Sequence, residues 1–471
     1  MTRAWRAVAF VWGTLSAASL AYFVVRVPMQ VTDSLANLLG AREQSWWTAM
    51  AGGVGGGYVR PLLGGELKLV DAFAAGRETV VYRGLHGFEL VACVLLFVSA
   101  VRVRDAASAL AVPLGVAMLL GAHTFDGTVR EAFPINNYLT VVVACLLAVN
   151  LSHGEPRRWR DVTAVALVVA TMLTVESGIL VLVCLAVAWL TGARGVSRGA
   201  VLAAGVVALA LIGGRFLLPG GGTPALSERP SGFGFGRLEP QELQARFGAF
   251  PYFFYAYNVV CQALSVLFAE PSAGTWAFIR DLLAGSLRPA RLVAVASATG
   301  ATVLVVWFCA SRWSVWRSRA FEHDDRLVLV AAAAVAVNAA LSFPYTKDVI
   351  MSAAGALYAL AATVAAAALL RRLAVARPPL VFAVSVLLMV LSAGWSIRLL
   401  AVHYRVRDAA FVTRNEWTEL DAWAARNRVD LSSPTRATLA RRLRDDALDR
   451  RVPSPSVNEH GEGRTLVRYF E

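Results

Sequence analysis

Long apolar runs are the feature of this sequence that most restricts how it can fold. A helix needs about 17 to 25 mostly apolar residues to cross the hydrocarbon core of a membrane, and runs of about this length recur from one end of the chain to the other. They predict an all-α, polytopic transmembrane helical bundle. The runs lie at 7–26, 88–103, 106–122, 138–152, 199–218, 292–310, 326–343, 349–370 and 379–402.

Two further apolar stretches do not fit a simple span. The stretch from Val162 to Leu190 is long and is interrupted by a single acid, Glu176, which predicts two short helices that meet near this residue. The run at 251–269 is apolar but rich in aromatic residues. We expect 251–290 to form a membrane-associated hairpin on the outer side. The bundle then has about eleven spans, or about twelve if 251–269 crosses fully.

Composition agrees with a membrane protein and argues against nucleic-acid binding. Hydrophobic residues make up 57% of the 471 residues and charged residues 16%, against about 25% charged residues in soluble domains. The formal net charge is +13, but its arginines sit in short loops between apolar runs, where they would face anionic lipid headgroups. The five cysteines lie inside apolar runs without metal-ligand spacing, so we expect them to pack as small hydrophobic side chains.

The distribution of arginine predicts the orientation of the bundle. Segments rich in arginine are expected on the cytoplasmic side, and they include MTRAWR at the N-terminus and the loops at 102–105, 153–161, 192–199 and 371–379. The alternate segments are then extracytoplasmic, and these are 27–87, 122–137, 174–178, 219–250 and 344–348.

This topology defines the expected domain organisation. One transmembrane domain covers 1–403, with a long first outer loop at 27–87 and an outer loop and hairpin at 219–290. The remaining 404–471 is expected to be a small charged tail on the extracytoplasmic side, with the N-terminus in the cytoplasm.

Charged and polar residues at membrane depth or at its edge are functional candidates, because such positions are energetically costly. Several of them fall in the segments expected outside. They are Asp33, Arg60, His86, His123, Glu131, Glu176, Lys347 and Asp348.

The order of these residues along the chain resembles the GT-C superfamily of glycosyltransferases, and within it the protein O-mannosyltransferase type and its bacterial relatives. The resemblance covers roughly residues 5–220, with a fainter match at 345–348. It is carried by an acid directly after the first helix, an aromatic-x-Arg-Pro-Leu segment, a Tyr/His pair before the second helix, a His-to-acid segment after the third helix and an acid-Ser-Gly break. The matching residues are Asp33; Tyr58, Arg60, Pro61 and Leu62; Tyr82 and His86; His123 to Glu131; and Glu176, Ser177 and Gly178.

The resemblance implies an enzyme of a bacterial plasma membrane that moves a sugar, with inversion, from a polyprenyl-phosphate donor to a glycan, lipid or protein acceptor. Asp33 would then draw the proton from the acceptor hydroxyl, while Arg60 and Lys347 would stabilise the departing lipid phosphate. Asp33 and Glu131 supply the hard oxygen ligands that a divalent ion such as Mg²⁺ or Mn²⁺ prefers. Membrane lipids are the other expected partners.

The sequence departs from the family pattern at three positions and leaves alternatives open. Ser34 stands where many members have a second acid, Thr124 replaces a proline, and Val175 replaces a lysine. An inactive GT-C-like scaffold and a transporter or flippase therefore remain alternatives. Individual residues also have structural alternatives: Asp33 as a helix cap, Glu176 in an ion pair with Arg60 or Lys347, and Asp126 with Arg130 along one helical turn.

The substitution Asp33→Asn is expected to abolish sugar transfer while leaving the protein inserted and folded, because an amide cannot accept the acceptor proton. Transfer from a polyprenyl-phosphate-linked sugar in isolated membranes measures the effect. Activity equal to that of the wild type would remove Asp33 from the mechanism.

Overall fold

The computed structural model describes residues 2–31, 33–51, 60–74, 76–130, 137–217, 230–233, 236–248 and 251–452, except that the side chains of Thr2, Asp33, Gly236, Ala376 and Pro378 are not described. The chain is all-α, with 82% of the described residues in helices. Strands are limited, in the described part, to the antiparallel pair β1 (Ser231–Gly232) and β2 (Gly236–Arg237).

Eleven described helices precede this strand pair, and a 3₁₀ turn at Glu176–Gly178 separates the ninth of them from the tenth. They are α1 (Thr2–Val24), α2 (Asp33–Glu43), α3 (Trp46–Ala51), α4 (Pro61–Ala74), α5 (Glu78–Val101), α6 (Ala106–Gly121), α7 (His123–Arg130), α8 (Tyr138–Ser152), α9 (Arg158–Met172), α10 (Ile179–Leu190) and α11 (Arg198–Leu217).

Nine described helices follow the strand pair, with 3₁₀ turns at Asp348–Met351 and Trp417–Glu419. They are α12 (Pro240–Phe247), α13 (Tyr252–Phe268), α14 (Thr275–Leu283), α15 (Pro289–Arg317), α16 (His323–Leu341), α17 (Ser352–Ala376), α18 (Pro378–Glu416), α19 (Leu420–Asn427) and α20 (Pro434–Asp449).

Six helices of the described chain are long and apolar enough to cross a membrane, and a seventh span results if α6 and α7, bent by 61° at their junction, count together. Three shorter apolar helices lie at Tyr138–Ser152, Glu176–Leu190 and Tyr252–Phe268. Length and apolarity therefore support fewer spans than the eleven or so that the apolar runs predicted. The difference arises because some of the predicted apolar runs form helices that are shorter than a membrane span. Helix α8 has 15 residues and is therefore only about 22 Å long.

The predicted break in the run from Val162 to Leu190 is confirmed. Helix α9 ends at Met172, and the chain passes through the 3₁₀ turn Glu176–Gly178 into α10. The two segments pack so tightly that a Cβ atom at Gly178 would lie 2.3 Å from the carbonyl carbon of Thr171. Glycine is needed at this position because any side chain would collide with the backbone.

Arginine-rich loops that are far apart in sequence meet at one end of the bundle, which we call the basic end. Arg6 donates to the Val103 carbonyl (2.9 Å), and the Gly195 N–H donates to the Ser152 carbonyl (2.8 Å). Arg371 bonds both Asp105 and Asp324 at 2.9 Å. The loops predicted to share one side of the membrane thus lie together, and the loop before α16 joins them.

The other end of the bundle, the site end, carries the acids that interrupt the apolar runs. Helix α5 has 24 residues and so separates its two ends by about 36 Å. Its last residue, Val101, lies at the basic end, and its first residue, Glu78, lies at the site end. The segment at 251–290 contains α13 and α14. Both lie against the site end, where Asn258 donates to the Phe343 carbonyl and Ser272 donates to Asp348.

Helix α18 is longer than the apolar run that predicted it. It continues for 39 residues from Pro378 to Glu416, so the expected boundary at 403/404 falls inside one helix. The segment expected as the first outer loop, 27–87, is also largely helical: it holds α2, α3 and α4, and α5 begins at residue 78 rather than near 88. Helices α2, α3 and α4 have 11, 6 and 14 residues, too few to form an apolar run of spanning length, so the apolar pattern did not predict them.

A second hydrophobic core joins the first outer segment to the C-terminal helices. Leu35 and Leu38 of α2 and Leu67 of α4 pack with Trp417 and Leu439. The Trp417 indole is fully buried and donates to the Met29 carbonyl (2.7 Å). The C-terminal helices therefore pack against the segment that contains Asp33 and keep it in place.

Trp417→Ala is expected to release α19 and α20 from this core, because removing a buried tryptophan costs about 3 to 5 kcal/mol. Limited trypsin digestion should then cut at the arginines of 434–449 much faster than in the wild type. Trp313→Ala is the matched control, since this side chain is 56% exposed. Equal protection in both variants would contradict the clamping role of Trp417.

Candidate functional site

A polar cavity of about 450 Å³ opens at the site end. Three elements bring its charged side chains together: the bent helix α7, the turn that leads into α17, and the middle of α18. The lining residues are His123, Asp126, Gly127, Arg130, Phe233, Thr346, Lys347, Asp348, Val349 and Arg405.

Helix α7 is held against the start of α17 by buried hydroxyl groups. The Ser352 hydroxyl donates to the Thr124 carbonyl (2.7 Å) and lies 2.6 Å from the Thr128 hydroxyl. Gly355 permits this approach, because a Cβ atom there would lie 2.5 Å from the Thr124 hydroxyl oxygen. The contact fixes the direction in which His123 and Asp126 face the cavity.

Asp126 holds two arginines at the cavity wall. Its carboxylate bonds Arg130 within α7 (2.7 Å) and Arg405 of α18 (2.8 Å). The predicted pairing of Asp126 with Arg130 along one helical turn is confirmed, and Arg405 is an addition that the sequence did not indicate. Two guanidiniums on one carboxylate leave a net positive charge at this wall.

Lys347 contributes a further cation. Its exposed side chain has no carboxylate partner among the described residues, and its ammonium lies 5.5 Å from the centre of the Tyr345 ring. Backbone hydrogen bonds fix the loop that carries it, since the Thr346 N–H donates to the Ser231 carbonyl (3.1 Å) and the Ser231 N–H donates to the Pro344 carbonyl (3.0 Å).

His123 and Asp348 lie next to each other in the cavity lining. The His123 Nε2 lies 3.5 Å from one Asp348 carboxylate oxygen, and Ser272 donates to the other at 3.1 Å. Neither His123 Nε2 nor Asp348 Oδ1 has a hydrogen-bond partner in the described part of the chain. Both atoms are closed to solvent, and buried polar groups are costly without a partner, so the pair has unused hydrogen-bonding capacity at the cavity wall.

Arg60 and Glu176 form a separate cluster. Glu176 bonds Arg60 at 2.5 Å and Arg215 of α11 at 3.1 Å. The predicted ion pair between Glu176 and Arg60 is therefore confirmed, whereas Lys347 does not take part in it. Arg215 was missed, although an arginine near the end of an otherwise apolar run was the signal that could have found it. Neither Arg60 nor Glu176 lines the cavity.

His86 lies in the interior rather than in the cavity. It is 1% exposed, and its Nε2 is 2.9 Å from the Thr128 carbonyl. Its other ring nitrogen lies 3.3 Å from the buried Arg83, which donates to the carbonyls of Val27 and Pro28 (both 3.0 Å). This pair ties α5 to the end of α1 and to α7. These contacts give His86 a structural role rather than a place in the cavity lining.

Two of the predicted site residues, Asp33 and Glu131, fall outside the side chains that the structure describes. Asp33 begins α2, but its side chain lies outside the described part, and Glu131 lies outside the described residues altogether. In the described chain, no group of three or more His, Cys, Asp and Glu residues has the arrangement of a metal site. The cavity acids do not fit a divalent ion well either, because Asp126 is already shared by two arginines.

Two neighbouring acids, Glu66 and Glu89, were not among the residues predicted from the sequence. The Asn137 amide donates to Glu66 of α4 (3.4 Å), and the Thr140 hydroxyl donates to Glu89 of α5 (3.0 Å). Burial, together with the nearby charge of Glu89, raises the pKa of Glu66 to about 7. Both glutamates lie within apolar stretches of the sequence, and this is the signal that could have identified them.

Comparisons with protein-family models, curated proteins and solved structures gave no match to this chain.

The substitution Glu66→Gln is expected to flatten the pH dependence of stability. The pKa of Glu66 is about 7 in the folded protein against its usual 4.5, so the folded state binds a proton that the unfolded chain has released. Wild-type stability should therefore fall as the pH rises from about 4.5 to about 7, on the order of 3 kcal/mol, and the fall should be smaller in the variant, in which the neighbouring acid Glu89 remains. Thermal unfolding across this range measures it.

Glu155→Gln is the control for this measurement, because the Glu155 side chain is 81% exposed and its removal should leave the wild-type profile intact. A Glu66→Gln profile with the wild-type slope would show that Glu66 does not titrate in this range.

Proposed function

We propose that this chain is a membrane-embedded glycosyltransferase that takes a sugar from a polyprenyl-phosphate donor at the site end of the bundle. The observation that carries the proposal is the cavity whose lining combines Lys347 and the Arg130–Asp126–Arg405 cluster with the His123–Asp348 pair. It combines groups for a lipid phosphate with groups for sugar hydroxyls. The resemblance of the sequence to GT-C enzymes gives the reaction class.

Apolar faces that the fold leaves uncovered support the membrane setting. Helix α11 presents Leu209 and Leu217, and α18 presents Phe382 and Leu387, all of them between 64% and 87% exposed. In water these faces would form large apolar patches, whereas lipid chains would cover them at no cost. All backbone groups within such helices are already hydrogen-bonded, as the hydrocarbon region demands.

The cations of the cavity suit the phosphate of the donor. Lys347 has no carboxylate partner within the described chain. Asp126 neutralises only one of the two arginines that it bonds, so this cluster keeps one positive charge. As the bond between the anomeric carbon and the phosphate oxygen breaks, negative charge grows on the phosphate that stays with the lipid. Fixed cations stabilise this developing charge more than they stabilise the starting donor.

The remaining groups bind the sugar and activate the acceptor substrate. The Asp348 carboxylate can accept a hydrogen bond from one sugar hydroxyl, and the His123 ring can donate a hydrogen bond to another. The acceptor hydroxyl gives its proton to a carboxylate, its oxygen forms the new bond to the anomeric carbon, and the polyprenyl phosphate leaves with the bonding electron pair. Asp33 keeps the role of this base, which the resemblance assigns to it. We derive no step through a metal ion.

A transporter is the second candidate, and one observation favours it. The chain enters a helix twice through a 3₁₀ turn that carries an acid, at Glu176–Gly178 and at Asp348–Met351. Paired broken helices are common in secondary transporters, but there they meet near the middle of the membrane. Both turns here lie at the site end, which favours an enzyme supplied from one leaflet.

Lysine labelling tests the donor site directly, because Lys347 and Lys68 are the only two lysines in the sequence. A polyprenyl phosphate is expected to protect Lys347 from acylation and to leave Lys68 reactive. Lys347→Met should lower transfer from polyprenyl-phosphate-mannose about a hundredfold, the usual scale for losing one charge-stabilising group, and Lys68→Met should not. Peptide mass spectrometry and labelled-sugar transfer give the two readouts.

Two results would count against the proposal. One is equal reactivity of Lys347 with and without the lipid phosphate. The other is movement of polyprenyl-phosphate-mannose across liposomes by the purified protein without any sugar transfer, which would favour the transporter.

A further inference from the structure

Four arginines gather at the basic end, at the C-terminal ends of two neighbouring helices. We call Arg102, Arg160, Arg194 and Arg326 the arginine bay. At the end of α8, Arg160 donates to the Leu151 carbonyl (3.0 Å), and Arg102 donates to the His153 carbonyl. Both guanidiniums therefore lie within one helical turn of each other.

The second pair caps the end of α10. Arg194 donates to the Trp189 carbonyl (2.8 Å), and Arg326 of α16 donates to the Thr191 carbonyl (3.0 Å). The hydrogen bond from the Gly195 N–H to the Ser152 carbonyl (2.8 Å) joins the two helix ends. Arginines from four separate segments of the chain thus converge on one small area.

The bay carries more positive charge than its surroundings neutralise. Each helix C-terminus is equivalent to about half a negative charge, so two ends offset roughly one of the four guanidiniums. None of the four has a carboxylate within ion-pair distance in the described chain. The acids nearby are engaged elsewhere: Asp324 with Arg104 and Arg371, Asp325 with Arg312, and Asp161 with the Ser197 N–H.

Arg102, one of the two exposed arginines of the bay, is surrounded by like charges. Partial burial, with the charges of Arg104, Arg160 and Arg326 close by, lowers the pKa of Arg102, which lies just beyond the end of α5. Like charges at this density are unfavourable unless an anion joins them.

Aromatic and apolar side chains at the edge of the bay indicate where that anion comes from. The Arg160 guanidinium lies 5.2 Å from the centre of the exposed Trp159 ring, and the Arg194 guanidinium lies 5.4 Å from that of Trp189. Leu190, beside Trp189, is 70% exposed. Tryptophan beside exposed aliphatic side chains is typical of the level at which lipid headgroups meet the hydrocarbon.

We propose that the arginine bay binds the phosphate headgroup of an anionic phospholipid in the adjoining leaflet. The guanidiniums bond the phosphate oxygens, and the two tryptophans lie beside the glycerol region of the same lipid. Basic pockets between the ends of membrane helices are suited to such headgroups. The proposal rests on the membrane setting proposed above and not on the transfer reaction.

Native mass spectrometry of the full-length protein, titrated in neutral detergent with phosphatidylglycerol or phosphatidylcholine, tests this site. Phosphatidylglycerol should bind more tightly. Arg160→Gln/Arg326→Gln should weaken its binding about thirtyfold, since two arginines are lost from the headgroup site. Arg157→Gln/Arg158→Gln is the matched control: both side chains are exposed and Arg157 already pairs with Glu155 (3.1 Å), so the change should stay below about threefold.

Three outcomes would overturn the proposal. Equal binding of the two lipids would remove the preference for an anion, and an equal loss in both double variants would indicate diffuse surface attraction. Displacement of the lipid by inorganic phosphate at matched ionic strength would identify a free-phosphate site.

A second variant keeps the test valid if the first does not fold. Arg102→Gln/Arg194→Gln removes two exposed side chains of the bay and should cause a similar loss, and unchanged binding in this variant would also overturn the proposal. Labelling of Lys347 is independent of all these results, so the lipid site and the proposed enzyme can fail separately.

Discussion

Pairing of charge is the constraint on which the rest of this structure depends. An unpaired charge within an apolar bundle costs several kcal/mol, and four acids at the bundle ends are each held by two partners. Asp126 bonds Arg130 and Arg405, and Glu176 bonds Arg60 and Arg215. Glu78 bonds Arg42 and Arg442, and Asp325 bonds Arg312 and the Trp316 indole. Asp126, Glu176 and Glu78 in this way fasten helices that are distant in sequence.

The places where pairing is incomplete are the places proposed for ligands. Lys347 faces a cavity without a carboxylate of its own, and His123 and Asp348 leave polar atoms unsatisfied in the described chain. At the basic end, four arginines outnumber the charge available to them. The two proposed sites thus lie at opposite ends, one suited to the phosphate of a donor and the other to that of a structural lipid.

Much of the local architecture could be predicted from the sequence, and most of the site geometry could not. The break at Glu176 followed from one acid in a long apolar run, and the contact between Asp126 and Arg130 followed from their spacing of four. Four of the five cysteines are buried, as expected of small hydrophobic side chains. By contrast, Arg405 lies 279 residues from its partner Asp126, and no local pattern indicates such a contact. The helices within 27–87 were missed because each of them is too short to give an apolar run of spanning length.

The sequence by itself determined that the chain is all-α, that several helices are apolar enough to cross a membrane, and that arginine collects in particular loops. These properties depend on composition and on short-range periodicity, which the residues carry without reference to the fold. Only the tertiary structure decided that Lys347, Asp348 and His123 share a cavity while Arg60 and Glu176 satisfy each other elsewhere. The reason is physical: a charged side chain in an apolar bundle takes the nearest partner in space, and helix packing alone determines which partner that is.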